Sequence, residues 1–171
     1  MRNFFDKNKR KNLVFLKGFS LIELAVVLGI SLVLGVVVLT TLLGRRSRVE
    51  LDNTTKQIVS TLREAQSRAV SGEGNTVWGV HLENSTTTAS FYALFYTSYT
   101  TSTKLGYWRL PTSIRYATSS IAQGSSLDIT FAQISGLPST STSVTLGGTG
   151  GGGVVTATST ITISAGGLIT F

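Results

Sequence analysis

The chain has no cysteine in its 171 residues. That excludes disulfide frameworks, thiolate nucleophiles and sulfur-ligated zinc together. Histidine occurs once, at His81, and only eight side chains are carboxylates, so the groups that acid–base, hydrolytic or metal chemistry requires are scarce. There is no G-x-S-x-G elbow. The glycine tract of residues 147–153 lacks the GK[ST] ending and the following helix of a phosphate loop, and reads as a flexible hairpin connection. Catalysis is not expected, and no cofactor is expected. Proline is also rare: both prolines, Pro111 and Pro138, lie in the C-terminal half, so nothing in residues 19–71 breaks a helix.

Charge is present but unevenly placed. The formal net charge is +7, yet residues 1–18 carry six basic side chains against Asp6 alone, a net +5, which leaves +2 for everything after them. The basic balance is therefore a property of a short N-terminal segment rather than of a nucleic-acid-binding face.

Four zones follow from composition: a basic leader at 1–18, an apolar segment at 19–44, a charged segment with an apolar stripe at 45–71, and a Ser/Thr/Gly-rich remainder at 72–171. Residues 24–43 are twenty consecutive uncharged positions dominated by Leu, Val and Ile. As a helix they span about the 30 Å hydrocarbon thickness of a bilayer. Beyond them, Leu51, Thr55, Ile58, Leu62, Ala65 and Ala69 recur at spacings of four and three, the signature of one buried helix face. Gly72 is expected to stop that helix.

The remainder predicts short antiparallel strands over 77–83, 91–99, 107–110, 114–117, 127–131, 143–146, 154–163 and 168–171. In the first of these, Trp78, Val80 and Leu82 alternate with Gly79, His81 and Glu83, which places the second set toward solvent. The fold class is α+β: a long N-terminal helix whose second half packs one face on a C-terminal antiparallel sheet.

Lys17-Gly18-Phe19-Ser20-Leu21-Ile22-Glu23-Leu24 carries the functional argument. A secretory signal peptide is cut after its apolar run, beside small residues. Here the run ends at Gly44-Arg45-Arg46 with no such site, while a glycine stands just before the run begins. The segment resembles the class III signal sequence of type IV prepilins and pseudopilins: a short basic leader, glycine at the cut, a hydrophobic first mature residue, glutamate fifth after the cut, then a long apolar helix.

The resemblance implies cleavage between Gly18 and Phe19 by a prepilin peptidase, N-methylation of the new Phe19 amine, and a role in assembly for Glu23. A carboxylate inside an apolar helix costs about 2.5–3.5 kcal/mol on insertion scales and is usually functional. In this family its implied partner is the charged Phe19 amine of the neighbouring subunit. The bland alternative is a helix-start residue tolerated by the dipole.

Further residues extend the likeness. Leu62-Arg63-Glu64-Ala65-Gln66-Ser67-Arg68-Ala69 before the first strand, Leu127-Asp128-Ile129-Thr130-Phe131 before Gly136, and Ile161-Thr162-Ile163-Ser164 before Gly166-Gly167 are similar to the GspH/FimT-type minor pseudopilins and minor pilins. The chain departs from disulfide-looped major pilins in lacking cysteine. It departs from calcium-binding pseudopilins in having Asp128 as its only carboxylate after Glu83.

The function so implied is structural: a minor pilin or pseudopilin of a type IV pilus or type II secretion system. Its expected partners are prepilin peptidase, other pilin-like subunits, an inner-membrane assembly platform and membrane lipid. The expected location is the bacterial inner membrane, single-pass, N-terminus inside and head outside, as the +5 leader favours. His81 and Glu83 as a metal or acid–base pair lack an evident third member. A rival reading gives the head a DNA-binding or ligand-binding tip function through Trp78, Tyr92, Tyr96, Tyr99, Tyr107 and Trp108 with Lys104, Arg109 and Arg115. A second rival is a membrane-anchored protein that never polymerises.

Overall fold

The computed structural model describes residues 18–149 and 154–171, with backbone only for 39–46. The expected leader, apart from Gly18, lies outside the described residues. One helix, α1, runs Leu21–Val70. The described residues divide into two units, one ending at Val38 and the other comprising Leu39–Phe171.

In the second unit α1 buries the face its spacing predicts: Leu51, Thr55, Ile58, Leu62, Ala65 and Ala69 are all buried, and Thr54, Val59 and Thr61 widen the stripe. Threonine can be buried there because its hydroxyl returns to the backbone one turn earlier. Thr54 Oγ1 donates to Glu50 O at 2.8 Å, Thr55 Oγ1 to Leu51 O at 2.8 Å and Thr61 Oγ1 to Gln57 O at 3.0 Å. The solvent side carries i,i+4 ion pairs, Lys56–Asp52 at 2.7 Å and Arg68–Glu64 at 2.8 Å. Such exposed pairs add only tenths of a kcal/mol, ~0.3–0.5 each. Gly72 stops the helix as expected, with φ 67 and its N–H donating to Ala69 O at 3.1 Å. A left-handed residue at this point is easiest for glycine.

All eight expected strands are present: β1 Trp78–Glu83, β2 Phe91–Tyr96, β3 Lys104–Arg109, β4 Ile114–Tyr116, β5 Ser126–Phe131, β6 Thr142–Thr149, β7 Val155–Ile163 and β8 Ile169–Thr170. They do not form one sheet. β3-β2-β1-β5 make one four-stranded antiparallel sheet and β4-β6-β7-β8 another. The chain changes sheets between β3 and β4, where Pro111 cannot donate to a ladder.

The glycine tract also differs from expectation. Gly147 and Gly148 are not a loop but lie in β6, paired with Thr158 and Ala157; residues 150–153 lie outside the described set.

One hydrophobic core joins the helix face to both sheets. Leu62 and Ile58 of α1 belong to it together with Val80, Leu82, Ile129 and Phe131 of the first sheet, and with Val144, Leu146, Ile161 and Ile163 of the second. Burial of each such side chain contributes about 1.5–3 kcal/mol. Polar contacts set the seating: Gln66 Nε2 donates to Gly136 O at 3.0 Å and Gly167 O at 2.9 Å, and Arg63 donates to Ile169 O at 3.2 Å.

Candidate functional site

Two places bear on function: the start of α1 and the outer face of the first sheet. At the start, Gly18, Phe19 and Glu23 are all exposed, Phe19 by 82%. Leu24 N donates to Ser20 O at 3.1 Å, which closes the first turn and sets Glu23 in it. A carboxylate there meets the unsatisfied N–H groups at the positive end of the helix. Leu21–Val38, with Glu23 near its start, is eighteen residues long and apolar enough to cross a membrane, with none of it buried within the chain. Leucine, valine and isoleucine side chains exposed over that length are a surface for lipid or for other helices, not for water.

The outer face of the first sheet corrects the reading of His81. Expected toward solvent, it is 5% exposed. The period-2 alternation is right about the side: Trp78, Val80 and Leu82 enter the main core, and His81 faces the other way. That other side is itself covered. The β1 register places His81 between Ala93 of β2 and Asp128 of β5, and Phe91, Ala93 and Phe95 are buried around it. Gly79 makes room for Phe95, since a Cβ there would lie 2.8 Å from the Phe95 ring and from Ile129 O. From the β2–β3 connection, Tyr99 lies flat on the imidazole, with ring centroids 3.6 Å apart.

The chemistry of this cluster is constrained. His81 Nδ1 lies 2.5 Å from Asp128 Oδ1, and Nε2, buried and without a hydrogen bond, is 3.5 Å from Glu83 Oε2. Desolvation, then the carboxylate of Glu83, pushes the Tyr99 phenol up. The His–Asp arrangement resembles two members of a hydrolytic triad, but Nε2 faces a carboxylate where a nucleophile would stand. No group of three His, Asp or Glu suited to a metal occurs among the described residues. The cluster fastens the β2–β3 connection to the sheet. Sequence reasoning missed its burial because the Asp128 partnership depends on β1–β5 register and the cover on a connection folding back.

The aromatics of the DNA reading scatter. Trp78 and Tyr92 are in the core, Tyr96 packs against it, and Tyr99 is used by His81. Tyr107 and Trp108 are partly exposed on β3, an edge strand. There Lys104 Nζ sits 4.7 Å and Arg109 5.9 Å from the Tyr107 ring centre, while Trp108 stacks on Tyr92. Arg115 belongs to β4, in the other sheet.

A scan against protein-family models and searches of curated proteins and of solved structures return no match to this chain.

Proposed function

We propose that the chain is a pilin-like structural subunit, cut between Gly18 and Phe19 and assembled through its N-terminal helix into a type IV pilus or a type II secretion pseudopilus. The carrying observation is the order of parts at the N-terminus. Gly18 and an apolar Phe19 stand just before the eighteen exposed residues Leu21–Val38, which are apolar except for Glu23 in the first turn. A helix built to be removed would have its cut after the apolar stretch; here the likeness to class III signals puts the cut before it. The second half of α1, packed on a cysteine-free β-rich head, supports the same reading and fits a minor subunit of the GspH/FimT type.

In this reading prepilin peptidase is the processing partner, an inner-membrane platform the assembly partner, and the apolar helices of neighbouring subunits replace lipid on assembly. The Phe19 amine of one subunit then lies against Glu23 of the next.

Mass spectrometry of the N-terminus, on protein from membranes with an active prepilin peptidase, tests the processing. The expected species begins at methylated Phe19. Retention of Met1, or a cut beyond residue 44, would overturn the reading. A salt-dependent DNA shift would instead favour the tip-binding rival, and absence from sheared filaments the non-polymerising one.

A further inference from the structure

The β1–β2, β3–β4 and β4–β5 connections enclose a cleft of about 410 Å³ at one end of the sheets. That volume falls within the ~300–1,000 Å³ range of small-molecule sites. It is far from the start of α1 in sequence, and of the residues named in the tip-binding reading Arg115 alone lines it.

Its frame is fixed by Asn84, which is buried and has all its polar groups occupied. Asn84 N donates to Ser125 O at 3.0 Å, and Nδ2 to Ile121 O at 2.8 Å. Its carbonyl accepts from Gly124 N at 2.7 Å, and Oδ1 accepts from Ser90 Oγ at 3.1 Å. Thr88 Oγ1 closes the β1–β2 connection on Ser85 Oγ at 3.0 Å. These bonds make the cleft a preorganised shape rather than a gap between loose loops.

Four lining side chains are left over. Thr86, Thr112, Arg115 and Gln123 line the cleft and make no side-chain hydrogen bond or ion pair among the described residues. No carboxylate lines it, so the Arg115 guanidinium is a charge without a counter-ion in a lining that also holds the hydroxyls of Thr86 and Thr112 and the amide of Gln123. Pro111 and Ala89 supply a small apolar patch, backed by the buried core residues Leu110 and Ile114.

The complementary ligand follows from this inventory. A planar guanidinium matches one carboxylate through two parallel hydrogen bonds. A phosphate dianion would keep half its charge unmatched, because no second cation lines the cleft. Hydroxyl and amide side chains both donate and accept, as sugar hydroxyls do. The aliphatic patch suits the C–H face of a pyranose, and no aromatic ring is present to stack a nucleobase. We infer that this cleft binds a monocarboxylated sugar of the hexuronic acid class, with Arg115 holding the carboxylate.

The test uses the full chain in detergent micelles, titrated with sodium glucuronate, glucose and inorganic phosphate and followed by amide NMR shifts. Glucuronate should saturate, with shifts confined to residues 84–90, 110–115 and 123. Glucose should bind roughly tenfold more weakly or not at all, the equivalent of one lost charge-assisted contact. Arg115→Gln should weaken glucuronate roughly tenfold without altering the far-UV spectrum, and Arg115→Lys should recover part of the loss. Arg115 is exposed, so neither change threatens folding. Absence of saturation by glucuronate, phosphate binding as tight as glucuronate, or an Arg115→Gln variant that binds like wild type would each overturn the assignment.

Discussion

The imidazole of His81 and the phenol ring of Tyr99 lie face to face, 3.6 Å apart and 4° from parallel, with Asp128 bonded to the imidazole edge. This stack is the seal on the outer face of the first sheet. Tyr99→Ala removes the cover, and the lost ring pair should cost about 0.5–1.5 kcal/mol. Amide exchange in residues 97–103 should speed up far more than exchange in β1 or β2. Asp128→Asn should loosen the same connection, because the short bond to His81 loses its charge. Unchanged exchange in both variants would show that Thr103, which donates to Ser98 O at 2.5 Å, holds the connection without help from the stack.

Leu62 is 1% exposed on the buried face of α1. Leu62→Asp puts a charge among apolar neighbours with no cation in the core cluster to meet it, a change that typically costs more than ~3 kcal/mol. The head should lose its cooperative thermal transition in detergent-solubilised protein. Ser60→Asp, on the exposed side of the same turn, should melt like wild type, within ~0.5 kcal/mol. Equal melting of the two variants would contradict the helix face.

Alkaline pH should weaken the fold. Burial pushes the Tyr92 phenol up to about 12 and the Tyr116 phenol further still; Tyr116 also donates to Phe91 O at 3.2 Å. The unfolded phenols titrate near the ordinary value of about 10. Below that pH both states hold their protons and the contribution is intact. Above it the unfolded state releases protons that the folded state keeps, so stability falls as pH rises toward the folded values. Tyr92 is the cleaner probe, since its hydroxyl has no hydrogen bond among the described residues. Tyr92→Phe should leave denaturant midpoints at neutral pH nearly unchanged and flatten their decline between about pH 10 and 12. A decline as steep as in wild type would remove Tyr92 as a cause.

Glu23 separates a tolerated helix-start charge from an assembly device. If it serves only the dipole of α1, Glu23→Gln should alter nothing beyond slightly easier membrane insertion. If it meets the Phe19 amine of a neighbouring subunit in low dielectric, loss of one partner leaves the other charge buried, at a cost of about 3–5 kcal/mol. The variant should then be inserted and cut but poorly incorporated. The ratio of filament-associated to membrane-associated protein at matched expression measures this. The pairing mechanism predicts a sharp fall, and equal ratios for wild type and Glu23→Gln would refute it.

Local periodicity carries a long way in this chain. Leu51, Thr55, Ile58, Leu62, Ala65 and Ala69 announce the buried face of α1 because a helix repeats every 3.6 residues and neighbours on one face are three or four apart. The same reasoning finds the eight strands and the Gly72 stop. The order Gly18, Phe19, Glu23 before an apolar stretch is a linear signal, readable without any fold.

What tertiary structure decided was everything that depends on distant pairing. That β4 leaves β3 to join β6, dividing the strands into two sheets, is a choice among ladders separated by tens of residues, and alternation is the same in either arrangement. His81 shows the limit most sharply. Its position on β1 sets which side of the sheet it faces, but Asp128 from β5 and Tyr99 from a returning connection determine that this side is closed. Gly147 and Gly148 likewise read as a loop from composition, yet pairing with β7 draws them into β6. Composition records what each residue prefers alone; burial and register are settled by which segments meet.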